Sequence, residues 1–336
     1  MTEIVRWGIL GAAKIAVQKV IPAMQQGRHS QITAIASRQG ERAAAAAAEA
    51  GVEKWYGNYE DLLADPGIDA IYIPLPNHLH VQWTHRCLEA GKHVLCEKPL
   101  ALDVEEVHQL IALRDKTGLQ VGEAFMVHTH PQWRTAVDMI RRGELGRLAA
   151  MQCFFSYHLT DPGNVRNAFA EGGGGLWDIG CYPIHIARWA FGREPQRVMA
   201  LIEHDPSFNV DRLCSAILDF ESGQAAFTVG TQLVRHQRLH FYGDQRKLEI
   251  EIPFNAPPDR PCRIFLDDGE LYGAGRKRTE LPVCDQYTIQ GDEFSRAILG
   301  LRSGVPVPLE NTLGNTAVIQ ALFRSATSGN WEKPAI

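Results

Sequence analysis

Short apolar runs alternate with amphipathic stretches over the first 125 residues of the chain. The apolar runs predict strands at 4–10, 31–38, 55–56, 70–74, 93–96 and 120–124. The stretches between them predict helices at 14–24, 41–50, 59–65, 77–90 and 104–117. Strands that alternate with helices are typical of a doubly wound parallel sheet. The pattern therefore predicts an α/β domain over residues 1–125.

The pattern changes near Phe125. Strands are predicted at 148–157, 197–202, 213–220, 224–233, 238–242 and 248–252, and turn residues at 221–223 and 243–244 predict antiparallel pairing. Helices are predicted at 133–142, 179–191, 292–299 and 312–325. Residues 126–336 are therefore predicted to form a second domain of the α+β class.

Small residues lie between the first strand and the first helix. They read G-x-A-x-x-A at Gly11, Ala13 and Ala16, a degenerate form of the dinucleotide-binding fingerprint. Small residues let the backbone approach a pyrophosphate, and the helix N-terminus offers unpaired N–H groups to it. The predicted cofactor contacts are Gly11, Ala12, Ala13, Lys14 and Ile15. The alternative is a tight strand–helix turn in an unrelated α/β protein.

The end of the second strand bears on which nucleotide is bound. An Asp or Glu in this region binds the ribose 2′-hydroxyl of NAD. This chain has Ser37 and Arg38 there, with no acid until Glu41. An arginine pairs with a 2′-phosphate and stacks on adenine, so NADP(H) is favoured and NAD(H) remains possible. The alternative is that Ser37 and Arg38 merely lead into the next helix.

Two further strand ends carry candidate cofactor contacts. In a doubly wound sheet the ligand lies outside the carboxyl ends of the strands. At the end of the strand 70–74 the predicted contacts are Pro74, Asn77 and His80. At the end of the strand 93–96 they are Glu97 and Lys98. Lys98 is expected to face the cofactor cleft, and the alternative is a surface lysine in a turn. His78 and His80 have no third ligand nearby, so no metal site is predicted, and these histidines are expected at the cleft rim or the surface.

A polar stripe marks the second half. Asp178, Tyr182 and His185 are spaced i, i+4 and i+7, which places them on one helical face. Pro183 is tolerated only in a first turn, so the helix is expected to start near Asp178. Asp178 then has the alternative role of an N-cap. The glycine-rich loop 161–175, with Arg166, is expected to be a substrate lid or a slack linker.

Composition excludes several classes of protein. The chain has 336 residues, 45% of them hydrophobic, and a formal net charge of −5 without a basic cluster, so no nucleic-acid partner is expected. No apolar run is long enough for a membrane span. The first strand is predicted so near Met1 that no signal peptide is expected. Seven dispersed cysteines without a C-x-x-C pair predict a reducing, cytoplasmic setting.

Several motifs together resemble the glucose–fructose oxidoreductase / inositol dehydrogenase / rhizopine-catabolism (Gfo/Idh/MocA) family. They are the fingerprint and the segments 76–80 (PNHLH), 97–99 (EKP), 172–182 (GGGGLWDIGCY), 241–243 (FYG) and 291–294 (GDEF). Tyr182 four residues after Asp178 looks most like the dimeric dihydrodiol dehydrogenase / D-xylose dehydrogenase branch. Ala13 departs from the family pattern, which has glycine at that position.

The resemblance implies a fold, a site and an assembly. It implies an N-terminal Rossmann domain and a C-terminal domain with an open, mostly antiparallel sheet, through which homodimers or homotetramers form. It implies a catalytic pair, Lys98 and Tyr182, with Asp178 beside them and a cis Lys98–Pro99 bond. Asp178 would orient Lys98 or bind a substrate hydroxyl, and Arg166 and His185 would be further substrate contacts.

These features lead to three functional hypotheses. The first is an NAD(P)-dependent oxidoreductase that transfers hydride to or from a sugar or related cyclic polyol or diol, with Tyr182 as acid/base assisted by Lys98. The second is an enzyme with tightly bound nicotinamide that carries out net glycoside hydrolysis or elimination. The third is a non-catalytic NADP-binding sensor. Accumulation of reduced cofactor with free sugar distinguishes the first two.

Overall fold

A six-stranded parallel sheet forms the centre of the first of two units. The computed structural model describes residues 4–336, and the units comprise Met1–Thr129 with Asp285–Thr312 and His130–Cys284 with Leu313–Ile336. The strands are β1 (Val5–Leu10), β2 (Ser30–Ala36), β3 (Lys54–Tyr56), β4 (Ala70–Ile73), β5 (His93–Cys96) and β6 (Val121–Glu123). Their order is β3-β2-β1-β4-β5-β6, and all neighbours are parallel. The predicted doubly wound sheet is confirmed, with its strand order reversing between β1 and β4.

Five helices connect these strands. They are α1 (Ile21–Met24), which continues a π-helical turn at Ala16–Val20, α2 (Gly40–Ala50), α3 (Tyr59–Ala64), α4 (His80–Glu89) and α5 (Val104–Thr117). Local side chains determine several of their ends. Asp103 accepts the Glu105 N–H at the start of α5, and Gly118 adopts a left-handed conformation at its end. The connections bring the ends of β1, β2, β4 and β5 to one edge of the sheet.

An eight-stranded sheet forms the second unit. Its strands are β7 (Leu148–His158), β8 (Arg197–His204), β9 (Asp211–Phe220), β10 (Gly223–Gly230), β11 (Gln232–Gly243), β12 (Lys247–Ile250), β13 (Cys262–Asp267) and β14 (Lys277–Leu281). The order is β14-β13-β12-β11-β7-β10-β9-β8, and only the β7/β10 pair in this described sheet is parallel. The expected open, mostly antiparallel sheet is confirmed.

The remaining helices are α6 (Pro131–Arg141), α7 (Cys181–Phe191), α8 (Gln286–Ile298) and α9 (Leu309–Ser328). In the second unit, α6 and α7 pack on one face of the sheet. Side chains on the other face remain accessible, since Leu201 is 79% exposed and Ile217 40% exposed. The sheet therefore has one covered face and one open face.

The first observed unit contains a late segment of the chain, Asp285–Thr312, which includes α8 and the start of α9. The ring of Trp7 is fully buried, lies 5.6 Å from that of Phe294 and donates its indole N–H to Ser295 Oγ at 3.0 Å. A buried indole N–H requires an acceptor, and α8 supplies both the acceptor and the packing partner. As a result α8, assigned by the prediction to the domain 126–336, packs in the first unit.

Candidate active site

The turn after β1 has the shape that a dinucleotide pyrophosphate requires. Gly11 has a φ of 129°, and a Cβ there would lie 2.8 Å from Leu75 Cδ2, so glycine is needed at this position. The helix begins at Lys14, and the first N–H groups of a helix have no partner within it. In the described chain Asn209 is the one non-glycine residue with positive φ, so Ala13 has a backbone conformation that accepts a methyl group. The residues present therefore fit a bound pyrophosphate.

The end of β2 lies at the same edge of the sheet. The Ser37 N–H donates to Tyr56 O at 3.1 Å, which fixes the turn, and the Ser37 side chain is buried. Arg38 is exposed. A hydroxyl and a guanidinium at this position, without a carboxylate, fit a 2′-phosphate better than a 2′-hydroxyl.

Buried hydrogen bonds hold the segment that carries Lys98. Tyr72 Oη donates to Glu97 Oε1 at 2.6 Å, and the Leu100 N–H donates to Glu123 Oε1 at 2.8 Å. The Lys98–Pro99 bond is cis, as the resemblance implied. Lys98 itself is half-buried at the end of β5. The segment is therefore anchored on both sides of the predicted catalytic lysine.

The end of β4 brings three predicted residues to this edge in different environments. Pro74 is buried and Asn77 is half-buried. His80 is fully buried, with Nδ1 2.8 Å from Pro99 O and Nε2 2.7 Å from Leu75 O. Burial lowers the pKa of His80 to about 4, while the two carbonyl groups act in the opposite direction. The predicted rim position differs from this one, and any effect of the ring on a cofactor must act through the two loops it contacts.

The helix with the predicted polar stripe begins earlier than predicted. A π-helical turn spans Leu176–Gly180, and α7 follows without a break. Asp178 therefore lies inside a helical turn, and its N–H donates to Gly174 O at 3.0 Å, so the N-cap alternative is wrong. Pro183 is the third residue of α7, but it lies inside the continuous helical segment that begins at Leu176, so the prediction that it falls in the first turn of the helix is wrong.

Asp178 is the centre of a buried hydrogen-bonded cluster. Its Oδ2 accepts from Tyr157 Oη at 2.6 Å and from Arg166 Nε at 3.0 Å. The charge of Asp178 raises the pKa of Arg166, and burial together with that charge raises the pKa of Tyr157. The Arg166 side chain is 47% exposed, and within residues 4–336 nothing accepts a hydrogen bond from its Nη1 or Nη2. The cluster thus presents a fixed guanidinium whose outer edge is available to a ligand.

Tyr182 lies next to this cluster in an aromatic pocket. Its ring centroid is 6.0 Å from that of Phe155 and 5.2 Å from that of Phe254, and the residue is 6% exposed. The Arg166 guanidinium interacts electrostatically with Tyr182. His185 lies deeper, fully buried, with its ring 6.2 Å from that of Trp189. Asp178, Tyr182 and Arg166 are therefore brought together, whereas His185 has no exposed surface in this structure.

The glycine-rich loop is held by defined hydrogen bonds. The Gly174 N–H donates to Arg166 O at 2.9 Å and the Gly173 N–H donates to Ala168 O at 3.1 Å. Gly174 has a φ of 114°, and a Cβ there would overlap Asp211 Oδ1. Asp211 is buried and accepts the Leu176 N–H at 2.5 Å, where the π-helical turn begins. These contacts show that the end of the loop is not a slack linker.

Comparison with known proteins assigns both units to one family. A model of an oxidoreductase family with an NAD-binding Rossmann fold matches residues 5–125, and a model of the GFO/IDH/MocA C-terminal domain matches residues 133–249. An uncharacterised oxidoreductase of Rhizobium meliloti is 48% identical over 334 residues, 98% of this chain and 99% of that protein. The chain belongs to the Gfo/Idh/MocA oxidoreductase family.

Two further members extend the comparison. A D-xylose 1-dehydrogenase (NADP(+)) of Haloferax volcanii is 35% identical over 333 residues, 96% of this chain and 98% of that protein. A 3-ketoreductase from Actinomadura kijaniata, solved in complex with NADP and TDP-benzene, has a TM-score of 0.89 at 30% identity and covers 96% of this chain and 98% of its own. The resemblance read from the motifs is confirmed, and this Gfo/Idh/MocA protein is an NAD(P)-dependent oxidoreductase of a family that acts on sugars.

Sequence reasoning missed three buried or half-buried side chains of this Gfo/Idh/MocA protein. They are Glu123, which anchors the Lys98 segment, Tyr157, which bonds to Asp178, and Asp211, which bonds to the helix start. Each lies at the beginning or end of a strand and far along the chain from its partner. An acid or tyrosine at a strand end has no local pattern that distinguishes such a role.

Two features are absent from the residues that the structure describes. Within positions 4–336, no three His, Cys, Asp or Glu side chains are grouped so as to hold a metal ion. Over the same range, no helix has both the length and the apolar character that crossing a membrane demands.

Proposed function

We propose that this oxidoreductase prefers NADP(H) and transfers hydride to or from a hydroxyl-bearing carbon of a sugar or related cyclic polyol or diol. The observation that carries the proposal is Tyr182, a buried acid/base candidate beside the guanidinium of Arg166, which Asp178 holds in place while it also accepts from Tyr157. The names of the relatives support it, because one is a D-xylose 1-dehydrogenase (NADP(+)) and another a 3-ketoreductase solved with NADP.

The chain's own residues move the proton. When bound, the nicotinamide accepts or delivers the hydride, which no side chain can do. In oxidation the substrate hydroxyl passes its proton to Tyr182 Oη as the carbon gives up its hydride, and a carbonyl group results. In reduction Tyr182 returns that proton to the carbonyl oxygen. An unperturbed tyrosine has a pKa of about 10, so proton acceptance at neutral pH needs a nearby cation, the role proposed for Lys98.

The cofactor is proposed to lie along the strand ends of the first unit. The turn and first helical residues bind the pyrophosphate, namely Gly11, Ala12, Ala13, Lys14 and Ile15. Ser37 and Arg38 bind the 2′-phosphate, because a guanidinium forms charge-assisted bonds with phosphate oxygens. Pro74, Asn77, Glu97 and Lys98 border the rest of the cofactor, and His80 acts there through the loops it holds.

The Asp178 cluster is proposed to bind the substrate. The outer nitrogens of Arg166 offer parallel N–H donors, which suit two neighbouring sugar oxygens. Asp178 neutralises much of the Arg166 charge, which favours a neutral polyhydroxylated substrate over an anionic one. His185 supports this face of α7 from the interior.

The open sheet face is proposed to join subunits in a homodimer or homotetramer. A groove of about 740 Å³ lies on it and includes Phe154, Leu201 and Ile217 in its lining. Apolar side chains grouped on an exposed surface are typical of an interaction site.

Turnover on a panel of aldoses and diols, followed at 340 nm with NADP and with NAD, tests the function. We expect Tyr182→Phe to lower kcat about 100- to 10,000-fold, because it removes the acid/base group, while the Kd for NADPH stays near that of the wild type. Lys98→Met should lower kcat. It should also move the rise of the oxidation rate with pH to a higher pH, because the cation proposed to lower the pKa of Tyr182 is removed. Tyr272→Phe is the matched control, since Tyr272 is 93% exposed.

Near-native turnover of Tyr182→Phe would refute the proposed acid/base role. Sugar release or elimination without accumulation of reduced nucleotide would favour an enzyme with tightly bound nicotinamide. Nucleotide binding without turnover on any member of the panel would favour a sensor.

A further inference from the structure

The ring of His80 bridges two loops of the first unit. It is fully buried, and both of its ring nitrogens lie within hydrogen-bond distance of backbone carbonyl oxygens, those of Leu75 and Pro99. Carbonyl oxygens only accept, so the ring must donate to each of them, with one N–H at a time when neutral and with both when protonated. In either state a single side chain contacts both loops.

The two loops belong to different parts of the proposed site. Leu75 packs against the fingerprint turn, as shown by the 2.8 Å between its Cδ2 and a Cβ placed on Gly11. Pro99 directly follows Lys98, at the end of β5. One loop therefore shapes the pyrophosphate turn, and the other carries the proposed catalytic lysine.

Two other hydrogen bonds in this region each hold one of the two loops and not the other. The hydroxyl of Tyr72 bonds to Glu97, and the carboxylate of Glu123 bonds to the Leu100 N–H, so both hold the segment around Lys98. Neither bond involves the 74–76 loop. Of these three side chains, only that of His80, the first residue of α4, contacts both loops.

We propose that His80 is a positioning residue that couples the nucleotide-binding turn to the loop of Lys98. This rests on the proposed function for the role of Lys98. Through the ring, a shift of Leu75 against Gly11 is transmitted to Pro99, so the lysine is placed correctly only when the turn is in its nucleotide-binding position. The motif histidine then acts on the cofactor without contacting it.

Two amide substitutions separate the two bonds. The amide nitrogen of His80→Asn takes the position of Nδ1 and keeps the bond to Pro99 O, whereas that of His80→Gln takes the position of Nε2 and keeps the bond to Leu75 O. Exposed His78, two residues earlier on the same segment, gives the matched controls His78→Asn and His78→Gln. Each full-length variant is compared with the wild type by hydrogen exchange of segments 75–79 and 98–102, with and without NADPH.

We expect each substitution to affect both loops. The loss of one hydrogen bond corresponds to about tenfold faster exchange at the released loop, and coupling predicts faster exchange at the opposite loop as well. His80→Asn, which keeps the bond beside Lys98, should still lower kcat, and His80→Gln, which keeps the bond to Leu75, should still raise the Kd for NADPH. The His78 variants should match the wild type in all these measurements.

Effects confined to the released loop, or a lower melting temperature with unchanged kcat and Kd per folded enzyme, would overturn the coupling. If one variant fails to fold, the other still tests the coupling. Each variant is expected to change hydrogen exchange at the loop whose bond it keeps. Exchange and NADPH binding need no turnover. Failure of the proposed function would therefore appear as an inactive wild type, whereas failure of the coupling would appear in the exchange data.

Discussion

At the scale of single residues, one carboxylate oxygen of Asp178 accepts two hydrogen bonds in a buried place. A buried charge is costly unless it is paired, and here Arg166 supplies the charge and Tyr157 a further donor. This arrangement fixes Arg166 through Nε and leaves its outer edge for a ligand. The hydrogen bond to Asp178 therefore makes Arg166 a preorganised hydrogen-bond donor although its side chain is half-exposed.

The first prediction concerns the shape of that donor. Arg166→Lys keeps the charge but removes the two parallel N–H groups, so KM for the sugar should rise about 10- to 100-fold, with kcat changed by less than about threefold. Steady-state kinetics on the best sugar of the panel and on its monodeoxy analogues measures this. For the analogue that lacks the hydroxyl bound by Arg166, the KM of Arg166→Lys should equal that of the wild type.

The control for this prediction is Arg260→Lys, at an exposed arginine paired with its neighbour Asp259. It should leave both constants unchanged. An Arg166→Lys enzyme with a native KM for every sugar would exclude Arg166 from substrate recognition.

At the scale of elements, the start of the π-helical turn and the start of β9 form one structural unit. A carboxyl oxygen of Asp211 on β9 accepts the N–H of Leu176, the first residue of that turn. An acceptor at a helix N-terminus satisfies a donor that the helix itself cannot pair. Asp178 lies two residues further on, so the strand helps to fix the position of the Asp178 cluster.

The protonation of Asp211 provides the second prediction. Burial raises the pKa of Asp211 to about 7, whereas in the unfolded chain an aspartate ionises near pH 4. Between about pH 4 and 7 the native state therefore holds a proton that the unfolded state releases. The stability from this group is fully present below about pH 4 and is lost as pH rises through about 7.

Asp211→Asn removes this titration. The melting temperature of the wild type minus that of Asp211→Asn should fall steadily from pH 5 to pH 8, by an amount equivalent to about 1 kcal/mol or more. Thermal unfolding of both proteins across this range measures it. A difference that stays constant or rises with pH would show that Asp211 is ionised throughout.

At the scale of the whole molecule, the sheets of the two units differ in how much of their surface is buried. The parallel sheet of the first is buried, with Ile9, Ile35 and Ile71 fully inaccessible. The antiparallel sheet of the second leaves one face open, with Leu201 at 79% exposure. An antiparallel sheet tolerates one accessible face, and apolar side chains there favour a protein partner.

The third prediction tests the open face as a subunit interface. Ile217→Asp combined with Leu201→Glu should convert the proposed homo-oligomer into a monomer, because two charges would have to be buried without partners. Sedimentation velocity at several concentrations measures the state. Leu271→Glu, at a loop residue 93% exposed, is the control and should keep the wild-type state. A double variant with an unchanged sedimentation coefficient would exclude this face.

Much of the fold could be predicted from local patterns. Both sheets were predicted with the correct predominant strand pairing, because strand periodicity and turn residues are properties of short segments. The strands β13 and β14 and the parallel β7/β10 pair were not predicted. Gly11, Ser37, Pro74 and Lys98 lie at one sheet edge as predicted, since the ends of parallel strands converge there. The NADP preference and the catalytic roles remain predictions.

Other features could not be read from the sequence. The placement of α8 in the first unit depends on the indole of Trp7, which lies 288 positions from its acceptor Ser295. The π-helical turn before α7 has no distinct pattern, and it moved the helix start away from Asp178. The buried ring of His80 had been expected at the cleft rim, because a histidine at a helix start reads the same whether or not other loops cover it.

The amino-acid sequence by itself determined most of the strands and helices, the small-residue turn after β1, and the elements on which Lys98 and Tyr182 lie, but not β13 and β14. These follow from the steric and hydrophobic preferences of a few consecutive residues. Only the tertiary structure decided that Tyr157 and Arg166 share Asp178, that Asp211 meets the helix start, and that His80 joins two loops. Each of these is a hydrogen bond between residues distant in sequence, and its existence depends on burial and geometry that arise when the whole chain packs.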